Sequence, residues 1–238
     1  MDSDSFSNDE ICEAQMSVSE AIMSRRSVRA FKSDPVDRMI IEDILQKAER
    51  APSGVNTQPW KVHVFTGRAK QELCDTTLKA YWNEAEKHSA DRLHYMDPWR
   101  DPYQARRRKV GWDMYGLMGI EKNERDKMLE ARAKNYTFFD APVGLIITID
   151  SDLGWMSWLD CGCFIQTIAL MARAYNLHTC AQAAWPTFHR VVDKHLGLKA
   201  PETVLCGMSL GYEDTTAPVN GLRTEREPLE NFVKYHSS

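Results

Sequence analysis

Three arginines and a serine fall within five positions, Arg25-Arg26-Ser27-Val28-Arg29. Guanidinium groups bind phosphate oxygens through paired hydrogen bonds, and a serine hydroxyl adds a short one, so this segment has the makings of a phosphate clamp. Ala51-Pro-Ser-Gly-Val-Asn-Thr-Gln-Pro-Trp60 is a second candidate. Pro52, Gly54 and Pro59 restrain the backbone, while Ser53, Asn56, Thr57 and Gln58 offer polar groups to a planar heterocycle. Near the other end, Arg223 and Arg226 in Gly221-Leu-Arg-Thr-Glu-Arg-Glu-Pro-Leu229 can complete a phosphate site from afar. Taken singly, each segment also reads as ordinary structure: a solvated basic turn, a helix-to-strand connection and a charged tail.

The elements that must position these groups follow from periodicity and punctuation. Ser17-Val-Ser-Glu20 is a capping-box pattern that opens a short helix ending near the arginines. Ile40, Ile41, Ile44, Leu45 and Ala48 share one face of a second helix. Residues 51–59 read as a loop and 60–66 as a strand, and 68–88 reads as helix again. Residues 89–123 show no clear period and read as irregular. A helix is expected over 125–134 and a buried strand over 143–149. Ser157-Trp-Leu-Asp160 resembles another capping box, starting a long apolar helix to Tyr175. A short helix over 188–196, a strand over 203–212 and a helix or extended arm over 228–235 complete the chain.

Bulk properties narrow the class. The chain has 238 residues, 43% of them hydrophobic and 27% charged, which suits one large globular domain. A net charge of -4 makes nucleic acid a poor partner. No apolar run approaches the roughly 18 residues of a membrane helix, and the acidic N-terminus lacks the features of a secretory signal, so a soluble, cytoplasmic protein is expected. The six cysteines form no disulfide framework. Cys161 and Cys163, placed on one helix, point to different faces and make an unconvincing metal site. Residues 1–16 read as a flexible acidic arm and 17–238 as a single α+β domain.

The three polar segments, in this order and with these separations, resemble the FMN-dependent nitroreductase family. The resemblance runs from about Ser17 to Val233, and Gly207-Met-Ser-Leu-Gly211 is similar to the family's last core strand. It implies a central mixed or antiparallel sheet flanked by helices, in an interlocked homodimer. It implies FMN as cofactor and NADH or NADPH as electron donor in a ping-pong cycle. Arg25 and Ser27 would hold the phosphate and ribityl region, Arg29 would sit near flavin N1 and O2, and Arg26 would line the same pocket. Pro52, Ser53, Asn56 and Gln58 would approach from the neighbouring subunit. Gln182, Ala183 and Ala184 resemble the loop whose amides face flavin N5 and O4, and Arg226 or Arg223 matches the C-terminal phosphate arginine. The flavin carries the chemistry in such proteins. No protein acid or base is therefore assigned, and Asp160, His178 and His189 are read as structural.

Residues 89–123 would then form a substrate-pocket or lid insertion. Trp99, Tyr103, Trp112, Tyr115 and Met118 can stack on an aromatic ring, and Arg106, Arg107, Arg108 and Lys109 can attract a carboxylate. Asp113 to Ile120, with Asn135 to Pro142, resembles the branch associated with nitrobenzoate reduction, which makes an electron-poor nitroaromatic the expected acceptor. Reductive dehalogenation, enone reduction or flavin destruction on the same scaffold are alternatives. So are a non-catalytic flavin-binding protein and an arginine-rich module for an acidic partner.

Overall fold

Val143–Asp150 is almost wholly apolar because both of its faces are covered. In the computed structural model, which describes residues 16–92 and 95–237, this segment is β2, an inner strand of a four-stranded sheet. The order is β1-β2-β4-β3, with β1 Lys61–Phe65, β3 His178–Gln182 and β4 Glu202–Gly211, and every pairing is antiparallel. One parallel bridge, Ser27 to Thr179, extends the sheet past β3. The acidic arm expected over 1–16 lies, apart from Met16, outside the described residues.

Helices cover both faces. α2 (Arg38–Ala48) and α6 (Trp155–Ala174) pack on one side, where Ile44, Phe164 and Ile168 meet Val143, Leu145 and Met208. α3 (Gly67–Asn83) and α7 (His189–Leu196) lie on the other, against Ile146, Phe138 and Trp185. Alternate β2 side chains serve opposite cores, as the two-residue strand period requires. A bulge between Ile147 and Thr148 shifts the register of β4 by one residue. Val204 thereby joins the α3 side while Met208 joins the α6 side.

The remaining helices are α1 (Val18–Ser24), α4 (Tyr103–Leu117) and α5 (Arg125–Ala133). α1 opens with the expected capping box, Ser17 and Glu20 each bonding the other's backbone. Two expectations are corrected. α6 begins at Trp155 with Gly154 at its cap, so Ser157 and Asp160 form no capping box; Asp160 instead accepts the Gly54 N–H at 3.2 Å. Residues 89–123 are not all irregular, because α4 occupies nearly half of them. Its apolar residues surround the helix without forming one stripe, and of its residues only Tyr115 is buried. Pro102 caps its start, and Asp101 Oδ1, one residue earlier, accepts the Ala105 N–H at 3.2 Å. Residues 228–235 hold one tight turn, Leu229–Asn231, and no other regular element.

Candidate functional site

The arginine segment runs beside β3. Val28 N donates to Thr179 O at 3.2 Å, and Arg29 N donates to the Asn220 side chain at 2.8 Å. Asn220 donates in turn to Ala30 O and Asp214 O, both at 2.8 Å, so a buried amide stitches the segment to the C-terminal region. Cys180 lies beneath the arginines. Burial pushes its thiol pKa up, against the pull of Arg29, the Ser27 hydroxyl and Arg25. Those three candidates therefore stand together, with Arg25 having no hydrogen-bond or ion-pair partner for its guanidinium among the described residues.

Arg26 has a different place. Its guanidinium pairs with Glu213, whose side chain is nearly buried, and His178 Nε2 lies 3.4 Å from the same carboxylate. Arg173 adds a further cation, bonding Ser24 Oγ at 3.1 Å and Leu177 O at 2.8 Å. His178 is buried among these charges. Desolvation first, then Arg173, Arg26 and Arg223, lower its pKa to about 3, so it is neutral. This ionic cluster fixes the end of α1, with Arg26 as one of its members.

Beyond β3 the chain turns at Ala183 and Ala184. Neither amide donates to another group among the described residues. The turn rests on Trp185, which is fully buried and stacked on Phe138 with ring centroids 4.5 Å apart. Tyr136 meets Trp185 edge-on at 5.7 Å. This aromatic layer lies flat on the sheet because two strand positions lack side chains. A Cβ on Gly144 would fall 2.5 Å from Phe138, and one on Gly207 would fall 2.0 Å from Trp185. Gln182 lines the cavity beside this turn and is held in place there: its Nε2 donates to Asn135 O at 2.7 Å and its Oε1 accepts from Ser209 at 3.1 Å.

Arg29, Ala181, Ala183 and Ala184 line one side of a cavity of about 670 Å³. That volume lies within the usual range for small-molecule and cofactor sites. Val110, Gly111 and Met114 of α4, Met118 just after it, and Arg132 of α5 form other parts of its lining. Arg29, Arg107, Arg132 and Lys134 line it, and among the described residues no Asp or Glu does. The site thus joins apolar walls, two free amides and a net positive field, since of these four cations Lys134 is paired with a carboxylate. It suits a planar group that carries or gains negative charge.

The other candidates are placed elsewhere. Arg223 is near enough to influence His178 but is exposed, and it bonds the carbonyls of Asn220 and Leu222. Arg226 curls onto Thr224 Oγ1 at 2.6 Å. The loop containing Pro52, Ser53, Asn56 and Gln58 docks through Gly54 on Asp160, at the start of α6, whereas the Ser24–Arg25 region docks on Arg173 at its end. Thirteen residues of helix separate those points, about 20 Å. One chain therefore does not bring loop and arginines together. Within the loop, Val55, Asn56 and Gln58 have φ of 45°, 59° and 46°, which is unfavourable for non-glycine residues, and Val55 is 98% exposed.

Comparisons with known proteins agree with this geometry. Residues 22–212 match the model of the nitroreductase family, and the chain belongs to that family. It is 43% identical over 215 residues to a 4-nitrobenzoate reductase of Pseudomonas putida, covering 90% of this chain and 93% of that one. It is 34% identical to a nitrobenzene nitroreductase of Ectopseudomonas oleovorans, covering 92% and 96%. Among solved structures, the FMN and NADPH-dependent nitroreductase NfnB of Sphigopyxis sp. strain HMH superposes with a TM-score of 0.91 at 32% identity, covering 94% of this chain and 100% of the other. The expected antiparallel arrangement with flanking helices is thus the family's fold.

Proposed function

We infer that the protein is an NAD(P)H-dependent oxidoreductase that uses FMN to reduce nitroaromatic compounds. The observation carrying this reading is the cavity that joins Arg29 and the two free amides of Ala183 and Ala184 to an apolar wall from α4. The relatives named for nitrobenzoate and nitrobenzene reduction support it, as does the solved NfnB described as FMN and NADPH-dependent. Bound FMN supplies hydride acceptance and electron transfer. The chain's own residues bind and orient. Arg25 and Ser27 hold the phosphate end. Arg29 offers a fixed cation, and Ala183 and Ala184 offer N–H donors, where negative charge develops on the ring. The apolar α4 face excludes water and stacks donor and acceptor in turn. Arg223 and Arg226 lie on a surface loop from which they can turn toward the phosphate.

The working unit in this reading is a homodimer. Val18 and Met23 on α1, Val55 in the loop, and Trp155 and Leu159 on α6 are large apolar side chains more than half exposed in one chain. They lie on elements that touch one another, and extended exposed apolar surface of this kind marks an interface. Two α6 helices packed in opposite directions would carry the Pro52–Gln58 loop of each chain across the 20 Å gap to the other's arginines. No helix among the described residues is long and apolar enough to cross a membrane.

Absorbance spectroscopy tests the reading. The purified protein should show flavin bands that bleach on anaerobic addition of NADH or NADPH and recover when a nitroarene is supplied. A protein that stays colourless after incubation with excess FMN and desalting would overturn it.

A further inference from the structure

In the basic run Arg106-Arg107-Arg108-Lys109, Arg106 and Lys109 are paired with carboxylates, while Arg107 and Arg108 have no carboxylate partner among the described residues; of these two, Arg107 lines the cavity. Arg106 Nη2 lies 2.5 Å from Glu227. Lys109 Nζ lies 2.8 Å from Asp113 and 3.4 Å from Glu225. These two are thereby neutralised, in a groove between α4 and the C-terminal loop that Arg107 borders as well. Arg107 leads a different stripe. It recurs with Val110, Gly111, Met114 and Met118 at helical intervals, and all five line the cavity of the proposed flavin site. Its guanidinium lies over the Trp99 ring at 4.8 Å, which holds its plane without using its charge.

A second cation shares the cavity. Arg132 of α5 has only a neutral partner, the Tyr115 hydroxyl at 3.3 Å from its Nε. Lys134, by contrast, is neutralised by Asp140 at 2.7 Å. The substrate side of the cavity thus presents two arginines with no carboxylate partner among the described residues, beside a ring-sized apolar wall. Guanidinium groups bind carboxylates in a planar, paired geometry that an uncharged substituent does not reproduce.

We propose that Arg107 and Arg132 form a carboxylate-binding subsite that selects nitroaromatic acids over neutral nitroarenes. The aromatic ring lies against Val110, Gly111 and Met114, its carboxylate at the arginines and its nitro group toward Arg29 and Ala184. The proposal rests on the reading of this cavity as the place of nitroarene reduction. It adds which end of the substrate is read, and by which residues.

The test uses the FMN-loaded protein and the variants Arg107→Gln, Arg132→Gln and Arg106→Gln. Three quantities are measured: kcat/KM for 4-nitrobenzoate, kcat/KM for nitrobenzene, and the Kd of unreactive benzoate followed by flavin absorbance. Arg107→Gln and Arg132→Gln should each lower kcat/KM for 4-nitrobenzoate about tenfold, mainly through KM, and weaken benzoate to a similar degree. Nitrobenzene should lose less, so that the ratio of kcat/KM for 4-nitrobenzoate to that for nitrobenzene falls severalfold, and the KM for NADPH should move less than that for 4-nitrobenzoate. Arg106→Gln should resemble the wild type with every ligand. Equal losses with both nitroarenes, or no loss with either, would overturn the subsite. A raised KM for NADPH with an unchanged preference between the nitroarenes would also overturn it, assigning the arginines to the nicotinamide's phosphates. If the wild type reduces neither compound, the nitroreductase reading falls. Benzoate binding that still depends on Arg107 and Arg132 would then uphold the subsite alone, and benzoate binding that does not would reject it.

Discussion

The two sides of the cavity are built on opposite plans. The Ala183–Ala184 side rests on a buried aromatic layer, with Trp185, Phe138 and Phe188 each no more than 2% exposed. The α4 side is a surface helix with one buried residue, tied to the C-terminal loop by the exposed ion pairs Arg106 to Glu227 and Lys109 to Glu225. Interior packing tolerates little change of volume, whereas exposed ion pairs contribute little to stability. One side can therefore hold a cofactor in fixed geometry while the other varies to suit an acceptor. A site that must do both needs both kinds of wall.

The sharpest way to break this comparison is at Gly207. An added Cβ would lie 2.0 Å from Trp185 Cδ1 and 2.4 Å from its Nε1, in a region where Trp185 has no exposed side to move toward. Gly207→Ala should therefore destabilise by about 3 kcal/mol or more and reduce FMN retention, measured by thermal unfolding and by flavin content after gel filtration. A variant with wild-type stability and full flavin would mean that the turn does not depend on the aromatic layer.

Glu213 tests the support behind the arginines. Glu213→Gln leaves Arg26 without its carboxylate beside Arg173, and breaking a buried pair from one side costs about 3 kcal/mol. FMN affinity should fall as well, because Ser24 to Ser27 lose their anchor. His178 gives the same region a pH signature. Its pKa is about 3 in the folded chain, far below the ordinary histidine value of 6.5. The unfolded chain therefore takes up a proton that the folded chain refuses as pH falls below about 6.5, and stability declines by about 1.4 kcal/mol per pH unit until the folded pKa is reached. His178→Gln should remove this one-proton slope from urea unfolding measured between pH 6 and 4. An unchanged slope would show that His178 is not the group responsible.

How much of this was legible in the sequence follows the same division. Strands β2 and β4 and the apolar helix α6 announce themselves through long apolar stretches, and β1 through the alternation of polar and apolar residues in Lys61–Phe65. β3 does not, because His178, Thr179 and Gln182 are polar residues buried with partners from distant segments. α4 hides for the converse reason: a helix that buries almost nothing has no apolar stripe to read. In the site, the grouping of Arg25, Ser27 and Arg29 was visible as composition. The diversion of Arg26 to Glu213 was not, since its partner lies 187 residues away. The basic run 106–109 likewise read as one patch until the carboxylates of Asp113, Glu225 and Glu227 sorted its members.

Gly111 supplies the smallest effect and the clearest contrast with Gly207. It lies inside α4 facing the cavity, and a Cβ there would meet nothing within 4 Å. In a helix interior an alanine is favoured over glycine by about 0.8–1.0 kcal/mol, so Gly111→Ala should stabilise α4 where Gly207→Ala destabilises the sheet. The added methyl group enters the space assigned to the acceptor ring. FMN content should be unchanged, while KM should rise a few-fold more for a bulky dinitroarene than for nitrobenzene. If Gly111→Ala instead lowers flavin content, α4 belongs to the cofactor's wall, and the division between a rigid cofactor side and a variable substrate side is wrong at this position.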